Sequence, residues 1–283
     1  MKLITWNIQW GRGADGCVNL DRVVADARRL ADFDVLCLQE VSSGFPELSG
    51  NDGRDQFAGI ASLLPDYTAI AGIATDLPGL SGARRCFGNM ILSRYPVFQI
   101  FRHLLPWPYE PDVQSMQRIA LEVTVQTPLG LMRILTTHLE YYSVKQRRAQ
   151  VQRLRELQQE AAAHAYNPHA GIAGDGPFLG SPRGGPAILT GDFNFLPDSS
   201  ERACLISAID GATAPYRDTW EYIHPQMPHA PTVGVHDKNQ WPGPPFTFDF
   251  IFATEDLLEK VRSVTVDCVS DASDHQPISL ELS

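Results

Sequence analysis

What most constrains this chain is a series of short runs rich in β-branched and aromatic residues, several of which stop abruptly at an acid, an amide or a histidine. Residues 3–8, 35–38, 89–92, 120–125, 131–137, 187–190 and 248–252 have the length and residue types of strands. The runs 120–125 and 131–137 flank Thr127-Pro128-Leu129-Gly130, whose Pro and Gly suit a tight turn and predict an antiparallel hairpin. Helical spacing appears at Leu20, Val23, Val24, Ala27 and Leu30, with Asn19 as N-cap, and again at Phe57, Ile60, Ala61 and Leu64. A third and longest helix begins at Ser143, which forms a capping-box pair with Gln146 and leads an apolar face of Val144, Val151, Leu154, Leu157 and Ala161. Strands and helices interleave without a strict βαβ repeat. That mixture favours a layered α/β sandwich with mixed sheets over a barrel or a doubly wound parallel sheet.

No linker divides two complete hydrophobic patterns, so residues 1–283 are expected to form one domain. With 43% hydrophobic residues the chain is not globally disordered, and no apolar run approaches the roughly 18 residues of a membrane span. The opening MKLITWNIQW places Asn7 and Gln9 where a signal peptide needs an unbroken apolar core, which favours a cytoplasmic protein. Five scattered cysteines without C-x-x-C spacing suggest neither a disulfide framework nor a zinc site. Gly and Pro gather in two stretches, 167–186 and 225–245, expected to be long loops serving as functional rims or lacking order.

Chemistry concentrates where the apolar runs stop. Residues 3–6 lead to Asn7, 35–38 to Gln39-Glu40, 131–137 to His138, and 187–190 to Gly191-Asp192-Phe193-Asn194. Asp249 lies inside Phe248-Asp249-Phe250-Ile251-Phe252, and Ser273-Asp274-His275-Gln276-Pro277 follows a polar turn. Oxygen donors dominate this set. A hard cation such as Mg²⁺ takes carboxylate and amide oxygens, with Mn²⁺ as a possible substitute, whereas zinc would ask for Cys or clustered His. Glu40 is the first choice of ligand, with Asn7 and Asp274 as companions.

Read in order, TWNIQWGRG (5–13), LQEV (38–41), GNMILSRYPV (88–97), THLE (137–140), RRAQ (147–150), GDFN (191–194), FDFIF (248–252) and SDHQP (273–277) resemble the endonuclease/exonuclease/phosphatase superfamily. Each segment alone is common; eight in family order across nearly the whole chain are not. The resemblance implies a four-layered α/β sandwich, two mixed β-sheets packed face to face with helices outside, and Mg²⁺-dependent phosphoester cleavage by direct attack of water. It also implies roles. Asp192 orients or deprotonates the water, Asn194 holds it and donates to phosphate, and Asn7 completes that pocket. Asp249 bonds His275 and keeps it a cationic phosphate donor, with His138 as a second donor. Whether Asp192 or the Asp249–His275 pair is the base stays open at this point. Two departures stand out: Phe246-Thr247-Phe248 occupies a stretch where relatives carry Arg or a similar polar residue, and Asn89 replaces a carboxylate that some nucleases hold near the first histidine, which leaves His138 less basic.

His103, His164, His169, His224, His229 and His236 are not placed with this set and read as surface or loop residues. Lys145, Arg147, Arg148, Arg153 and Arg155 read as a solvated helix face, with a site-flanking patch for a polyanion as the alternative. Arg85, Asn89 and Tyr141 are candidate substrate contacts. The partner implied is a phosphodiester, nucleic acid among the candidates, with no membrane insertion and no obligate protein partner. Twenty-three basic against thirty-three acidic residues give a net charge of −10, which disfavours processive cutting of a long duplex. The leading expectation is a nuclease-like Mg²⁺ phosphodiesterase. The alternatives are a phospholipid (sphingomyelinase-like) or inositol-phosphate phosphoesterase, and a non-catalytic binding module on the same fold, against which the intact polar set counts.

Overall fold

The structure is a computed structural model that describes residues 1–166, 182–209, 211 and 213–283. In chain order its first half contains β1 (Lys2–Asn7), α1 (Leu20–Leu30), β2 (Val35–Ser43), α2 (Gln56–Leu63), β3 (Thr68–Pro78), β4 (Arg84–Ser93), β5 (Val97–Leu104), β6 (Ile119–Thr127) and β7 (Gly130–His138). The second half continues with α3 (Val144–Tyr166), β8 (Ala187–Asp192), α4 (Ser200–Ile206), β9 (Tyr216–Asp218), α5 (Thr219–Ile223), β10 (Asp249–Thr254), β11 (Val261–Val266) and β12 (Ile278–Leu282).

Two six-stranded mixed sheets result, ordered β11-β12-β1-β2-β4-β3 and β5-β6-β7-β8-β10-β9. Each holds a single parallel pair, β1 with β2 in the first and β7 with β8 in the second; every other pairing is antiparallel. Leu3, Val35, Cys37 and Ile91 of one sheet meet Leu121, Val123, Ile134 and Ile188 of the other in the core between them. Val23, Val24, Ala27 and Ile60 of α1 and α2 cover the outer face of the first sheet, and Val151, Leu154, Leu157 and Leu205 of α3 and α4 cover that of the second. These are the four layers. The parallel pairs bring the C-terminal ends of β1, β2, β7 and β8 to one rim of the sandwich. The antiparallel partners β10 and β12 bring their N-terminal ends to the same rim.

The Asn19 cap forms as expected, its side chain accepting from Arg22 N at 3.0 Å. The Ser143 cap forms only in one direction. Ser143 Oγ accepts from Gln146 N at 3.0 Å, but the Gln146 amide donates instead to Pro108 O and Ser115 Oγ, so the reciprocal half of the capping box is absent. Val144, expected on the buried face of α3, is 44% exposed, because in the first turn that face is occupied by the polar residues Gln146, Arg147 and Gln150. Strands β3, β5, β9, β11 and β12 were unforeseen from sequence; the first four are sheet edges, where one face meets solvent and the apolar run breaks up, β5 alternating half-buried and exposed along its whole length, while β12 lies one strand in and alternates buried with half-buried residues. The stretch 225–245 carries no helix or strand, only an isolated bridge of Val233 to Phe246 and to His275. Most of the expected loop 167–186 lies outside the described residues.

Candidate active site

Local backbone geometry aims the site residues. Register between β2 and β4 slips between Leu38 and Val41, a bulge that places Glu40 at φ +59° and turns its carboxylate toward the rim. Asn194 sits at φ +52°, held by its own N–H on Asp192 Oδ1 at 3.0 Å and by Nδ2 donating to Leu139 O at 2.9 Å. Non-glycine residues in this region are uncommon and gather at functional sites. Beneath them the sheets are stitched together by the buried Gln39, whose amide donates to Thr5 Oγ1 of its own sheet at 3.1 Å and to Thr136 Oγ1 of the other at 2.7 Å.

Asn7 is the hinge of the cluster. Its Nδ2 donates to Glu40 Oε1 at 3.1 Å and to Asp192 Oδ2 at 3.0 Å, while its Oδ1 accepts from Gln9 N. His138 Nε2 lies 3.4 Å from Asp192 Oδ2 and its Nδ1 3.8 Å from Glu40 Oε1. On the other side of Asp192, His275 Nε2 is 3.8 Å away, and His275 Nδ1 is bonded to Asp249 Oδ2 at 2.8 Å. Ligand atoms of Glu40, His138 and Asp192 fall within 4.8 Å of one another, as do those of Asp192, Asp249 and His275. Asp274 stands apart from both groups. Its Oδ2 accepts from Gln9 Nε2 at 3.0 Å and from Trp241 Nε1 at 2.9 Å, which ties the stretch 225–245 to the rim.

Burial sets the proton affinities. Desolvation pushes Asp192 up to about 7, with the Asp249 and Glu40 charges adding to it and His275 and the Asn7 bond opposing. Desolvation also raises Glu40, reinforced by Asp274. Desolvation pulls His275 down, but the carboxylates of Asp249, Asp274 and Asp192 overcome it and hold the ring well above the ordinary histidine value. His138 is pushed well below that value, by burial first and then by the Arg118 and His275 charges. At neutral pH the site therefore holds one cationic and one neutral imidazole. Asn89, by contrast, donates to Ile119 O rather than to His138.

The flanking candidates divide. Tyr141 lines a cleft of about 560 Å³ with Arg147, Asn194, Phe195, Leu196, Phe246 and Phe248, directly beside the site. Arg85 is held among its neighbours, Nε donating to Gly44 O at 3.0 Å, the guanidinium 4.3 Å from the Phe45 ring centroid and ion-paired with Glu47. The helix cations are structural for the most part: Arg155 donates to the carbonyls of Cys204, Ser207 and Ala208 at the end of α4, and Arg147 to those of Glu140 and Tyr141. His103 and His229 are not free surface residues, since each pairs with a buried carboxylate, Glu122 at 3.0 Å and Asp218 at 2.8 Å; His169 lies outside the described residues. Sequence reading took Trp241 for core or rim packing and gave no part in the site to Arg118, Glu140, Gln9 or Thr232. The last holds the segment before β10, its Oγ1 accepting from the N–H groups of Phe248 and Asp249. None of the five ends a recognisable strand run except Glu140, two residues past His138, so no local signal marked them.

The profile described as the Endonuclease/Exonuclease/phosphatase family matches residues 4–275, a span that contains every residue of this cluster. The chain belongs to that family. The endonuclease/exonuclease/phosphatase protein of Beutenbergia cavernae is similar over the whole chain, with 25% identity, 71% of its own length covered and a TM-score of 0.62. A family protein from Bacteroides vulgatus shares 20% identity at a TM-score of 0.67, with 98% of its length covered. The mannosyl-6-phosphatase Bt3783 of Bacteroides thetaiotaomicron shares 17% at 0.66, with 99% covered, and truncated TDP2 of Caenorhabditis elegans 20% at 0.63, with 97% covered; both span all of this chain. No curated protein matches. As a family member the chain is a phosphoesterase, with the α/β sandwich fold expected from the sequence. Among the described residues no helix is long and apolar enough to cross a membrane.

Proposed function

We propose that the chain is a Mg²⁺-dependent, nuclease-like phosphodiesterase that cleaves by direct attack of an activated water. The observation that carries this reading is Asp192: one buried carboxylate touching Asn7 and lying within 4 Å of both imidazoles, with Glu40 joined through the same amide. The donor set fits a hard cation. The half-buried Glu40 and the buried Asp192 lie close together, and each is driven toward its protonated form by desolvation first and by neighbouring carboxylate charge second, which is the condition a divalent ion relieves. Glu40 would hold it, with Asp192 beside it and Asp274 as an outer companion; the adjoining His138 nitrogen makes Mn²⁺ an acceptable substitute. Bound there, the ion supplies charge for the phosphate's non-bridging oxygens and lowers the barrier to deprotonating water.

The protein's own groups do the rest. Asp192 accepts the water's proton, being the carboxylate that Asn7 and the Asn194 N–H hold between the two imidazoles. Asn194 and Asn7 fix the direction of attack, Asn194 with the amide oxygen left over from its bond to Leu139. His275, kept cationic by Asp249, donates through Nε2 to a phosphate oxygen as charge accumulates, and His138 contributes a neutral N–H. Tyr141, Phe246 and Phe248 offer flat apolar surface to whatever group the phosphate carries. A mannosyl-6-phosphatase shares this fold, and a fold does not name its substrate, so identity of substrate is a matter for assay.

The test is hydrolysis of bis(p-nitrophenyl) phosphate with added Mg²⁺, followed by single-stranded and duplex nucleic acid, sphingomyelin and inositol phosphates side by side. Chelation, Asp192→Asn and His275→Ala should each abolish turnover while circular dichroism stays native. Full activity in both folded variants would overturn the assigned roles, and a folded protein inert on the whole panel would favour a binding module.

A further inference from the structure

Among the described residues seven aromatic side chains are exposed, and four of them, Trp107, Tyr109, Tyr141 and Tyr142, gather at one end of the site rim. Tyr141 lines the cleft beside Asn194 and meets Tyr142 edge to face, ring centroids 4.8 Å apart. Just after Tyr142, Ser143 Oγ donates to Glu110 and Lys145 Nζ donates to Tyr109 O at 2.9 Å, which brings the loop between β5 and β6 alongside. Trp107 stands on the same loop, its Nε1 donating to Ser115 Oγ at 2.8 Å. The rings lead out of the cleft as one connected group.

That loop is held stiff. Pro106 and Pro108 restrict the backbone on either side of Trp107. Gln150 Nε2 donates to Pro106 O at 3.3 Å, and Gln146 Nε2 donates to Pro108 O at 3.1 Å and to Ser115 Oγ at 3.3 Å. Polar side chains of α3 thus fix a loop whose own rings stay in water, Tyr109 being 82% exposed and Tyr142 59%. Core packing does not account for such an arrangement. Aromatic rings presented in a fixed pose lose little entropy when something lies against them, which is what a binding surface offers.

The platform continues the cleft, so its occupant hangs on the same phosphodiester. A polynucleotide repeats a flat face at every residue, and stacking of bases on aromatic rings tolerates any sequence. In a duplex those faces are already stacked on one another, and rim cations paired with Glu47 and Glu201 give a duplex no track. A lipid surface asks for an unbroken apolar face, whereas Glu110 and Lys145 come between Tyr109 and Tyr142. Beyond its bond to Tyr109 O, the Lys145 ammonium keeps further N–H groups for a backbone phosphate.

We propose that Trp107, Tyr109 and Tyr142 form a stacking platform for single-stranded nucleic acid, holding the bases that adjoin the phosphodiester in the site. The inference rests on the phosphodiesterase reading above and narrows its substrate class to single strands.

The probe is a fluorescein-labelled, phosphorothioate-linked oligothymidylate of about eight nucleotides, within the site size of single-strand binders and resistant to cleavage. Its anisotropy is titrated with wild type, Trp107→Ala, Tyr109→Ala, Tyr142→Ala, the triple alanine variant and Trp107→Phe, all with Mg²⁺. Each single alanine variant should bind roughly 5- to 150-fold more weakly, and Trp107→Phe, which keeps a ring, should recover most of the loss. On the ordinary phosphodiester strand, kcat/KM relative to that on bis(p-nitrophenyl) phosphate should fall by the same factor. Tm is read alongside, and the exposed positions of all three residues leave it native. A triple variant of native Tm that binds the single strand as wild type does would overturn the proposal. So would wild type binding a duplex of equal length as tightly, with the same losses. A wild type that ignores the single strand but binds sphingomyelin vesicles through these rings would make the surface a lipid interface and equally end the proposal. Because the binding arm needs no turnover, a wild type that hydrolyses no phosphoester would sink the proposed function while anisotropy still decides the platform; one that hydrolyses phosphodiesters without binding the strand sinks the platform alone.

Discussion

Replacing Gly191 by alanine tests how the sandwich holds its central carboxylate. Gly191 faces Thr137 in the parallel β7/β8 register, at φ +139°, immediately before Asp192. A methyl group there would lie 1.9 Å from Thr137 O and 2.9 Å from its carbonyl carbon, closer than the 3.0 Å that real Cβ atoms respect. Both atoms are backbone, so no side chain can swing aside and the two strands must part by about an ångström, against a normal spacing of ~4.8 Å. Overpacking and the left-handed conformation together cost roughly 2–5 kcal/mol. For a chain of this size that is a Tm lower by about 5–15 °C. Because the displaced residue is the neighbour of Asp192, activity should fall about 100-fold even in the folded fraction. Gly130→Ala is the control: φ is +105° at the β6–β7 turn, but nothing lies within 4 Å, so it carries the conformational strain without the clash and leaves activity intact. Thermal melts and turnover of both variants decide the matter. A Gly191→Ala protein as stable as Gly130→Ala and fully active would refute the claim that close strand approach positions Asp192.

Three further expectations follow from the site. Asp249→Asn removes the first of the carboxylates that keep His275 cationic, so the alkaline limb of the pH–rate profile should move to lower pH and kcat should drop roughly 10²–10⁴-fold; an unmoved limb would exclude His275 as the acid group. Metal-free protein should lose stability as pH rises from about 4 to 7, by an amount on the order of a few kcal/mol, because Asp192 and Glu40 have folded proton affinities above their unfolded values and ionise in that window. Mg²⁺ should flatten that slope in denaturant titrations, and a slope identical with and without the ion would argue against binding at these carboxylates. Tyr141→Ala should raise KM roughly 5- to 150-fold for substrates carrying a base or aryl group while leaving turnover of dimethyl phosphate alone, since the ring lines the cleft and does not reach Asp192; equal effects on both substrates would remove the cleft from recognition.

How far the sequence could be read depended on where information is local. The strands β1, β2, β7, β8 and β10 were legible because they are interior and both their faces are apolar, and their ends were legible because Asn7, Glu40, His138, Asp192 and Asp249 break those runs abruptly. Edge strands β3, β5, β9 and β11 were not, since a face that meets solvent carries polar residues and hides the run, and neither was β12, an inner strand whose Ser279 and Glu281 interrupt its apolar residues in the same way. The same distinction governs the site. Residues at strand ends announce themselves, whereas Trp241, Gln9 and Arg118 matter through partners 33, 265 and 22 positions away, and no spacing rule connects them. Of the helix cations, Lys145 and Arg148 are exposed as read, but Arg155 was misjudged for a related reason: it looks like any solvated arginine until the end of α4 packs beside it and offers carbonyls.

A net charge of −10 and an anionic substrate are reconciled by where the positive charge is already committed. Around the rim Arg12 pairs with Asp237, Arg85 with Glu47, and Arg147 and Arg148 with Glu201. A surface whose cations are matched in this way projects little field into solvent and has few counterions to release on binding, so it gives a long polyanion no track to follow. Inside, the carboxylates of Glu40, Asp192, Asp249 and Asp274 outnumber the cations of His275 and Arg118, and a divalent ion would cancel that excess of negative charge. Attraction would then act at contact range on a single phosphate, with the aromatic cleft selecting what the phosphate carries. That arrangement favours short or terminal phosphodiesters over processive travel along a duplex, and it makes turnover only weakly dependent on salt, the opposite of what a basic groove would give.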